Sequence, residues 1–240
     1  FPFEANMYRD MGTNVVYKGH PLVDTVHAAM SRDEAISYFG LDPQKQTVLL
    51  MPGSRMQEVQ GLLPTMLAAA EEIHQAVPQV QFLLPRASTI ERSVLEQLIG
   101  ERPIPIHIGD SHVYDMMAVS TAAIAASGTA TLETALMSLP TLLVYRVSPL
   151  TYWLSKLLVH IDNIGLPNII MGRRIMPELW QDDVRADRIA DIVVPMLTDT
   201  ARHDALQKAM AEVRSTMGPE GAVQRIAETI LEFAKEKHIE

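Results

Sequence analysis

Residues 47–55 read T-V-L-L-M-P-G-S-R. From Thr47 to Met51 the run is apolar without the every-second-residue alternation of a half-exposed strand, so it fits a strand covered on both faces, as in a parallel sheet. Pro52-Gly53 ends that strand, and Ser54-Arg55 stand where the chain turns toward a helix. The pattern repeats outward from there. Val80–Leu84, Ile104–Ile108, Ala122–Ala126 and Thr141–Tyr145 are further apolar runs of strand length, each separated from the next by helical periodicity. Strand–helix alternation with apolar strands predicts an α/β fold, a Rossmann-like doubly wound parallel sheet flanked by helices.

The helices carry their own punctuation. Ser31-Arg32-Asp33-Glu34 is a capping-box pattern opening a helix that stops at Gly40. A long helix is expected over Leu62–Val77, with Pro64 tolerated in its first turn. Ser88-Thr89-Ile90-Glu91 suggests a second capping box before a helix ending at Gly100. Val15-Val16-Tyr17 reads as a short strand ending at Gly19. After about residue 148 the pattern is mainly helical. Two helices, 199–217 and 221–237, flank Met217-Gly218-Pro219-Glu220-Gly221. The expected organisation is a junction segment over 1–20, a Rossmann-like domain over 21–198 and C-terminal helices over 199–240.

Composition narrows the function. The 240 residues contain no cysteine, which excludes disulfide scaffolds, thiolate metal sites and cysteine nucleophiles. A formal net charge of −9 argues against a general nucleic-acid surface. No apolar run approaches the ~18 residues of a membrane span, and no basic-then-apolar leader opens the chain. A cytoplasmic location is expected. Phe1-Pro2-Phe3-Glu4 lacks an initiator methionine, so the chain reads as part of a longer protein.

In an open parallel sheet, ligands bind at the carboxyl ends of the strands. That singles out loops 52–61, 85–88, 109–112 and 126–130, and two of these carry chemistry. In the first, Gly53 permits close backbone approach, Ser54 offers a hydroxyl and Arg55 a forked cation suited to phosphate oxygens. The same residues also fit a plain Pro-Gly turn whose surface arginine pairs with Glu58. The second loop, A-S-G-T-A-T-L-E (126–133), opens a helix. Its unpaired N–H groups and the helix dipole attract an anion, with Ser127, Gly128 and Thr129 around it. Glu133, one turn in, suits a ribose diol. The alternative is an ordinary hydroxyl-capped helix with a carboxylate favoured by the dipole.

Together the loops suggest a nucleoside diphosphate lying between two strand ends. No G-x-x-x-x-G-K-[ST] and no G-x-G-x-x-G is present, and neither H-E-x-x-H nor a clustered Asp-x-Asp points to a metal. His20 in G-H-P-L-V-D favours a structural role. Tyr152-Trp153-Leu154 and Leu157-Leu158-Val159 fit one apolar helix face, read as core or interface ahead of membrane contact. Arg173-Arg174 reads as a solvated pair ahead of a contact with an anionic group.

At this point G-H-P-L-V-D, L-L-M-P-G-S-R-M-Q-E-V, A-S-G-T-A-T-L-E, V-Y-R, G-L-P-N-I-I and P-E-L-W-Q-D-D, in this order, resemble the lipid-A-disaccharide synthases. These are family 19 glycosyltransferases of GT-B fold in Gram-negative lipid A biosynthesis. The resemblance runs from F-P-F-E to about residue 185. It implies that this chain is the C-terminal, nucleotide-sugar-binding half of a two-domain enzyme. The implied reaction moves 2,3-diacylglucosamine from UDP-2,3-diacylglucosamine to 2,3-diacylglucosamine 1-phosphate, with inversion, releasing UDP. It also implies residue roles. Ser54 and Arg55 contact the diphosphate, with Arg55 catalytic and Glu58 orienting the arginine or its loop. Ser127, Gly128 and Thr129 hold phosphate oxygens and Glu133 the ribose. Backbone groups near Gly109–Tyr114 read uracil, while Asn168, Glu178 and Gln181 reach the donor sugar or diphosphate.

No cofactor or metal is expected. The catalytic base and acceptor pocket are expected in an N-terminal Rossmann-like domain that this chain lacks. Homodimer formation and peripheral contact with the inner membrane are compatible with the resemblance. Other GT-B enzymes, such as a UDP-N-acetylglucosamine 2-epimerase or the peptidoglycan N-acetylglucosaminyltransferase, would share the diphosphate site. A non-catalytic nucleotide-sugar-binding module would share it too.

Overall fold

Six parallel strands form one sheet in the computed structural model, which describes residues 1–146 and 163–237. In chain order they are β1 (Gln46–Met51), β2 (Val80–Pro85), β3 (Ile106–Gly109), β4 (Ala122–Ala126), β5 (Thr141–Tyr145) and β6 (Glu178–Trp180). Their spatial order is β3-β2-β1-β4-β5-β6. This is the doubly wound arrangement read from the apolar runs. The chain winds one way from β1 to β3 and the other way from β4 to β6, so the winding reverses between β1 and β4.

Three helices precede β1, α1 (Pro2–Asp10), α2 (Leu22–Thr25) and α3 (Arg32–Phe39), and between the strands lie α4 (Met56–Ala76), α5 (Arg92–Ile99), α6 (Val113–Val119) and α7 (Thr129–Leu136). Later come α8 (Leu166–Met171), α9 (Ala186–Thr198), α10 (Thr200–Thr216) and α11 (Ala222–Lys237). Alternate strand residues feed opposite faces. Val48, Leu50, Phe82, Leu84 and Ile124 pack under α4, α5 and α9. Leu49, Met51, Leu83, Ala123 and Ala125 pack under α3 and α6, and Leu143 under α7, α8 and α10. Both faces are thus dry, which is why the strands show no polar alternation.

Four expectations need correction. Val15–Tyr17 is not a strand; it runs without a strand partner, and the Tyr17 hydroxyl donates to the Met217 carbonyl at 2.8 Å. The long helix begins at Met56, not Leu62, which leaves Pro64 in its interior. Pro64 has no N–H for the Gln60 carbonyl. Beside that break Arg146, the arginine of V-Y-R, donates to the Gly61 carbonyl (3.1 Å) and the Thr65 hydroxyl (3.2 Å). Ser88 caps nothing, because α5 starts after Glu91 and residues 88–90 form a turn. A sixth strand, β6, appears at the sheet edge in what reads as a helical region. The Tyr152–Val159 face lies outside the described residues. Among the described residues no helix is long and apolar enough to cross a membrane.

Other local readings hold. The Ser31 hydroxyl accepts from the Glu34 N–H, and the Glu34 carboxylate accepts from the Ser31 N–H at 2.8 Å. Gly40 ends α3 in the left-handed conformation. G-H-P-L-V-D forms a seam with the end of the chain. The His20 N–H donates to the Met217 carbonyl (3.1 Å), and Asp24 accepts from the N–H groups of Gly221 (2.7 Å) and Val223 (2.9 Å) at the start of α11. Arg225 donates to the Lys18 carbonyl at 3.0 Å. These backbone bonds hold the Asp24 carboxyl below the usual carboxylate range, the Val223 bond contributing most. His20 stacks on Phe1 and accepts from the Leu22 N–H, the structural role expected of it.

Candidate functional site

The loops leaving β1 and β4 meet where the winding reverses. They line a cavity of about 530 Å³ together with the end of β2 and the start of α6. That volume lies within the ~300–1,000 Å³ usual for small-molecule sites. A shallower depression of about 700 Å³ lies between α4 and α9, against Glu72, Gln75 and Asp191. It has no cation in its wall and sits away from the carboxyl ends of the strands, so the chemistry favours the smaller cavity.

Gly53, Ser54, Arg55, Glu58, Ser127, Gly128, Thr129 and Glu133 all line the smaller cavity, so the two loops singled out in the sequence do converge. They are built differently. At the start of α4 the helix already holds an anion of its own. Glu58 accepts from the N–H groups of Ser54 (3.0 Å) and Arg55 (3.2 Å), and its other oxygen takes the Arg55 guanidinium at 2.8 Å. Glycine is required at 53: φ is +112°, and a Cβ there would stand 2.3 Å from the Glu58 carboxylate. The loop is pinned from outside by the Thr89 hydroxyl, which donates to the Ser54 carbonyl at 2.6 Å. Arg55 itself is 82% exposed, a solvent-facing cation whose guanidinium is paired with Glu58.

At the start of α7 the situation is reversed. Among the described residues nothing accepts from the N–H groups of Gly128, Thr129 or Ala130, and the Ser127 and Thr129 hydroxyls have no partner. The turn is tied instead by Thr131, whose N–H (3.3 Å) and hydroxyl (2.8 Å) both donate to the Gly128 carbonyl. Gly128 has φ +153°, and a Cβ on it would meet only open space. The result is a helix terminus whose first N–H groups have no protein partner among the described residues and face the cavity, the arrangement that binds phosphate through backbone donors.

Glu133 lies one turn inside. The Tyr114 hydroxyl donates to one of its carboxylate oxygens at 2.9 Å. Burial first, then the bond to Glu133 and its charge, push the Tyr114 phenol up to about 12. On the opposite wall Arg86, at the end of β2, pairs with Asp110 and donates to the Ile90 carbonyl at 2.9 Å. Arg92 reaches the same carboxylate at 2.7 Å. Arg86 contributes most to holding the Asp110 carboxyl below its usual range. This clamp fixes the 109–112 loop beside the cavity. The side chains of Tyr114, Thr89, Arg86 and Thr131 were given no site role in the sequence, although Tyr114 closes the segment expected to read uracil through its backbone. Nothing in their local pattern reports contacts that the fold alone creates, although Arg86 stands in a loop the strand-end rule had marked.

Asn168 and Glu178 occupy different surroundings. Both are buried, and neither is on the cavity wall. The Asn168 carbonyl oxygen accepts from the N–H groups of Ile175 (2.7 Å) and Met176 (2.9 Å). Its amide donates to the Met176 carbonyl (2.9 Å) and to Glu178 (2.6 Å). Glu178 also accepts from Ile164 (3.0 Å), Gly165 (2.9 Å) and the Trp180 indole (3.1 Å). The motif residues thus knit α8 to β6. Gln181 follows β6 at φ +49°, also outside the cavity wall. Arg173 is paired with Glu212 across the surface.

Comparison with known proteins supplies the remaining finding. A family model described as lipid-A-disaccharide synthetase matches residues 1–232. The chain is 42% identical over 233 residues to the lipid-A-disaccharide synthase of Geobacter sulfurreducens, covering 97% of this chain and 61% of that protein. It is 40% identical to the enzyme of Syntrophus aciditrophicus, covering 98% and 61%. The chain therefore spans about three fifths of the length of these relatives. Among solved structures, the Staphylococcus aureus MnaA–UDP complex superposes with a TM-score of 0.64 at 15% identity, covering 96% of this chain and 57% of that one. Anabaena HepE with UDP-glucose gives 0.55 at 17%, covering 92% and 57%. At such identities these two report a shared fold.

Proposed function

The chain belongs to the lipid-A-disaccharide synthase family, and from that premise we propose that it forms the donor-binding half of such an enzyme, holding the UDP moiety of UDP-2,3-diacylglucosamine. The observation that carries the reading is the open terminus of α7, with Glu133 one turn inside it and Arg55 across the cavity. A diphosphate on the free N–H groups of residues 128–130 leaves the ribose toward Glu133 and places the second phosphate within the sweep of Arg55.

In the proposed reaction the 6-hydroxyl of the acceptor attacks the anomeric carbon as the bond to the diphosphate oxygen breaks. The electron pair stays on the departing UDP, and the hydroxyl proton passes to a base. Charge therefore builds on the diphosphate in the transition state. Fixed backbone donors and the α7 dipole meet it without reorganising, and Arg55 can exchange its Glu58 contact for a phosphate oxygen. The reading assigns this task to protein groups and not to a metal. The base and the acceptor pocket are assigned to the part of the relatives that this chain does not span. Asn168 and Glu178 are proposed to act at a distance, by holding the α8–β6 region in shape.

Calorimetric titration tests the reading. Arg55→Ala should weaken UDP about tenfold, the loss of one charge-assisted phosphate contact, and leave uridine almost unchanged. Equal losses for the two ligands would remove Arg55 from the diphosphate site. The 240-residue chain should bind UDP yet show no glycosyl transfer, and turnover by the chain alone would contradict the division of labour.

A further inference from the structure

We infer that Tyr114 is a positioning residue for ribose recognition: its hydroxyl holds the Glu133 carboxylate in the orientation that receives the diol. This rests on the proposed ribose role of Glu133. Tyr114 belongs to α6, which follows β3, and Glu133 to α7, which follows β4, so the bond between them ties two loops that enter the cavity from different strands. The tyrosine ring is wedged where the apolar cluster under α3 and α6 meets the one under α7, α8 and α10. Its position is thus set by packing, and its hydroxyl is delivered to a fixed point.

The Glu133 carboxylate has no other partner among the described residues; one oxygen takes the phenol at 2.9 Å and the other is left for a ligand. The cavity wall includes Glu133 but not Tyr114, so the tyrosine acts through the carboxylate and not by contact. With its pKa at about 12 the phenol is a neutral donor at any working pH. A carboxylate on three rotatable bonds would otherwise lose that freedom only when the ribose arrives, and the bond removes this cost in advance. Tyr114 also closes the 109–114 segment, to which the family resemblance gives the base. Base and sugar would therefore meet one coupled unit.

The test compares UDP with 2′-deoxy-UDP by calorimetry on the 240-residue chain, in wild type, Tyr114→Phe, Glu133→Ala and the double variant. Phenylalanine fills the same apolar space and removes only the hydroxyl, so the fold is kept. Wild type should prefer UDP by about tenfold, and Tyr114→Phe should bind UDP about fivefold more weakly with the preference cut to two- or threefold, as expected for loss of one orienting bond to a charged group. Glu133→Ala should abolish the preference, and adding Tyr114→Phe to it should change nothing further. If Tyr114→Phe keeps the full preference while Glu133→Ala abolishes it, the positioning role is overturned and the ribose reading stands. If Glu133→Ala itself keeps the preference, both fall. Additive losses in the double variant would show Tyr114 acting by another route and overturn the inference.

Discussion

Replacing Asn168 separates two accounts of the G-L-P-N motif. Its side chain is fully buried and makes four hydrogen bonds, three of them to the backbone of Ile175 and Met176. Asn168→Ala strands two N–H groups and a carbonyl, each costing about 1–3 kcal/mol when left dry. A water admitted into the vacated space recovers part of that, so a loss of about 3–5 kcal/mol is expected. That is a large share of the ~5–15 kcal/mol that holds a domain folded. Urea denaturation followed by circular dichroism measures it directly. Asn168→Asp should be similarly damaging, since it keeps the acceptor but sets a second carboxylate where the amide donated to Glu178 at 2.6 Å. A variant whose urea midpoint matched wild type while UDP-sugar binding vanished would refute the reasoning. It would make Asn168 a ligand contact.

Gly53→Ala should displace Glu58 and loosen the start of α4. A Cβ has 2.3 Å to that carboxylate and the backbone is left-handed, so a stability loss of about 1–3 kcal/mol is expected by chemical denaturation, with weakened UDP binding. Gly128→Ala has space for its Cβ but not the conformation. Its cost should appear in calorimetry as lost affinity for UDP and for inorganic diphosphate alike. The Tyr114 phenol has a higher pKa in the folded chain than its ordinary value of 10, so its contribution to stability is complete below pH 10 and disappears as the pH rises through about 12. Melting temperatures of wild type should therefore fall across that window more steeply than those of Tyr114→Phe.

What the sequence disclosed, and what it hid, follows from the range of the interactions. The central strands were legible because Val48–Leu50 and Ala122–Ala126 are dry on both sides and carry apolar residues throughout. The convergence of the two cavity loops was legible because strand ends in a parallel sheet are where ligands sit, so Arg55 and Ser127–Thr129 could be placed at one cavity from position and residue type. The first turn of α4 was missed because Gln57, Glu58 and Gln60 break the apolar periodicity, and its stability comes from one carboxylate folding back over Ser54 and Arg55. β6 was missed because a three-residue strand opening with a buried glutamate has no apolar signature; four donors gathered from residues 164–180 make it tolerable. Tyr114–Glu133, Arg86–Asp110 and Thr89–Ser54 join residues 19, 24 and 35 positions apart, a spacing no local pattern encodes. Motif letters alone could not separate Asn168 from Ser127; one is buried in a hydrogen-bonded hub and the other faces an open cavity.

The seam between G-H-P-L-V-D and the start of α11 has a consequence for biosynthesis. Its bonds join residues 197–207 positions apart, and Val23 and Val26 share an apolar cluster with Met210, Val213 and Met217. A ribosome delivers Val23 and Val26 long before their partners, so these side chains stay uncovered while the sheet forms around them. The segment thus stays exposed to chaperones and aggregation during translation until α10 and the start of α11 arrive to cover it.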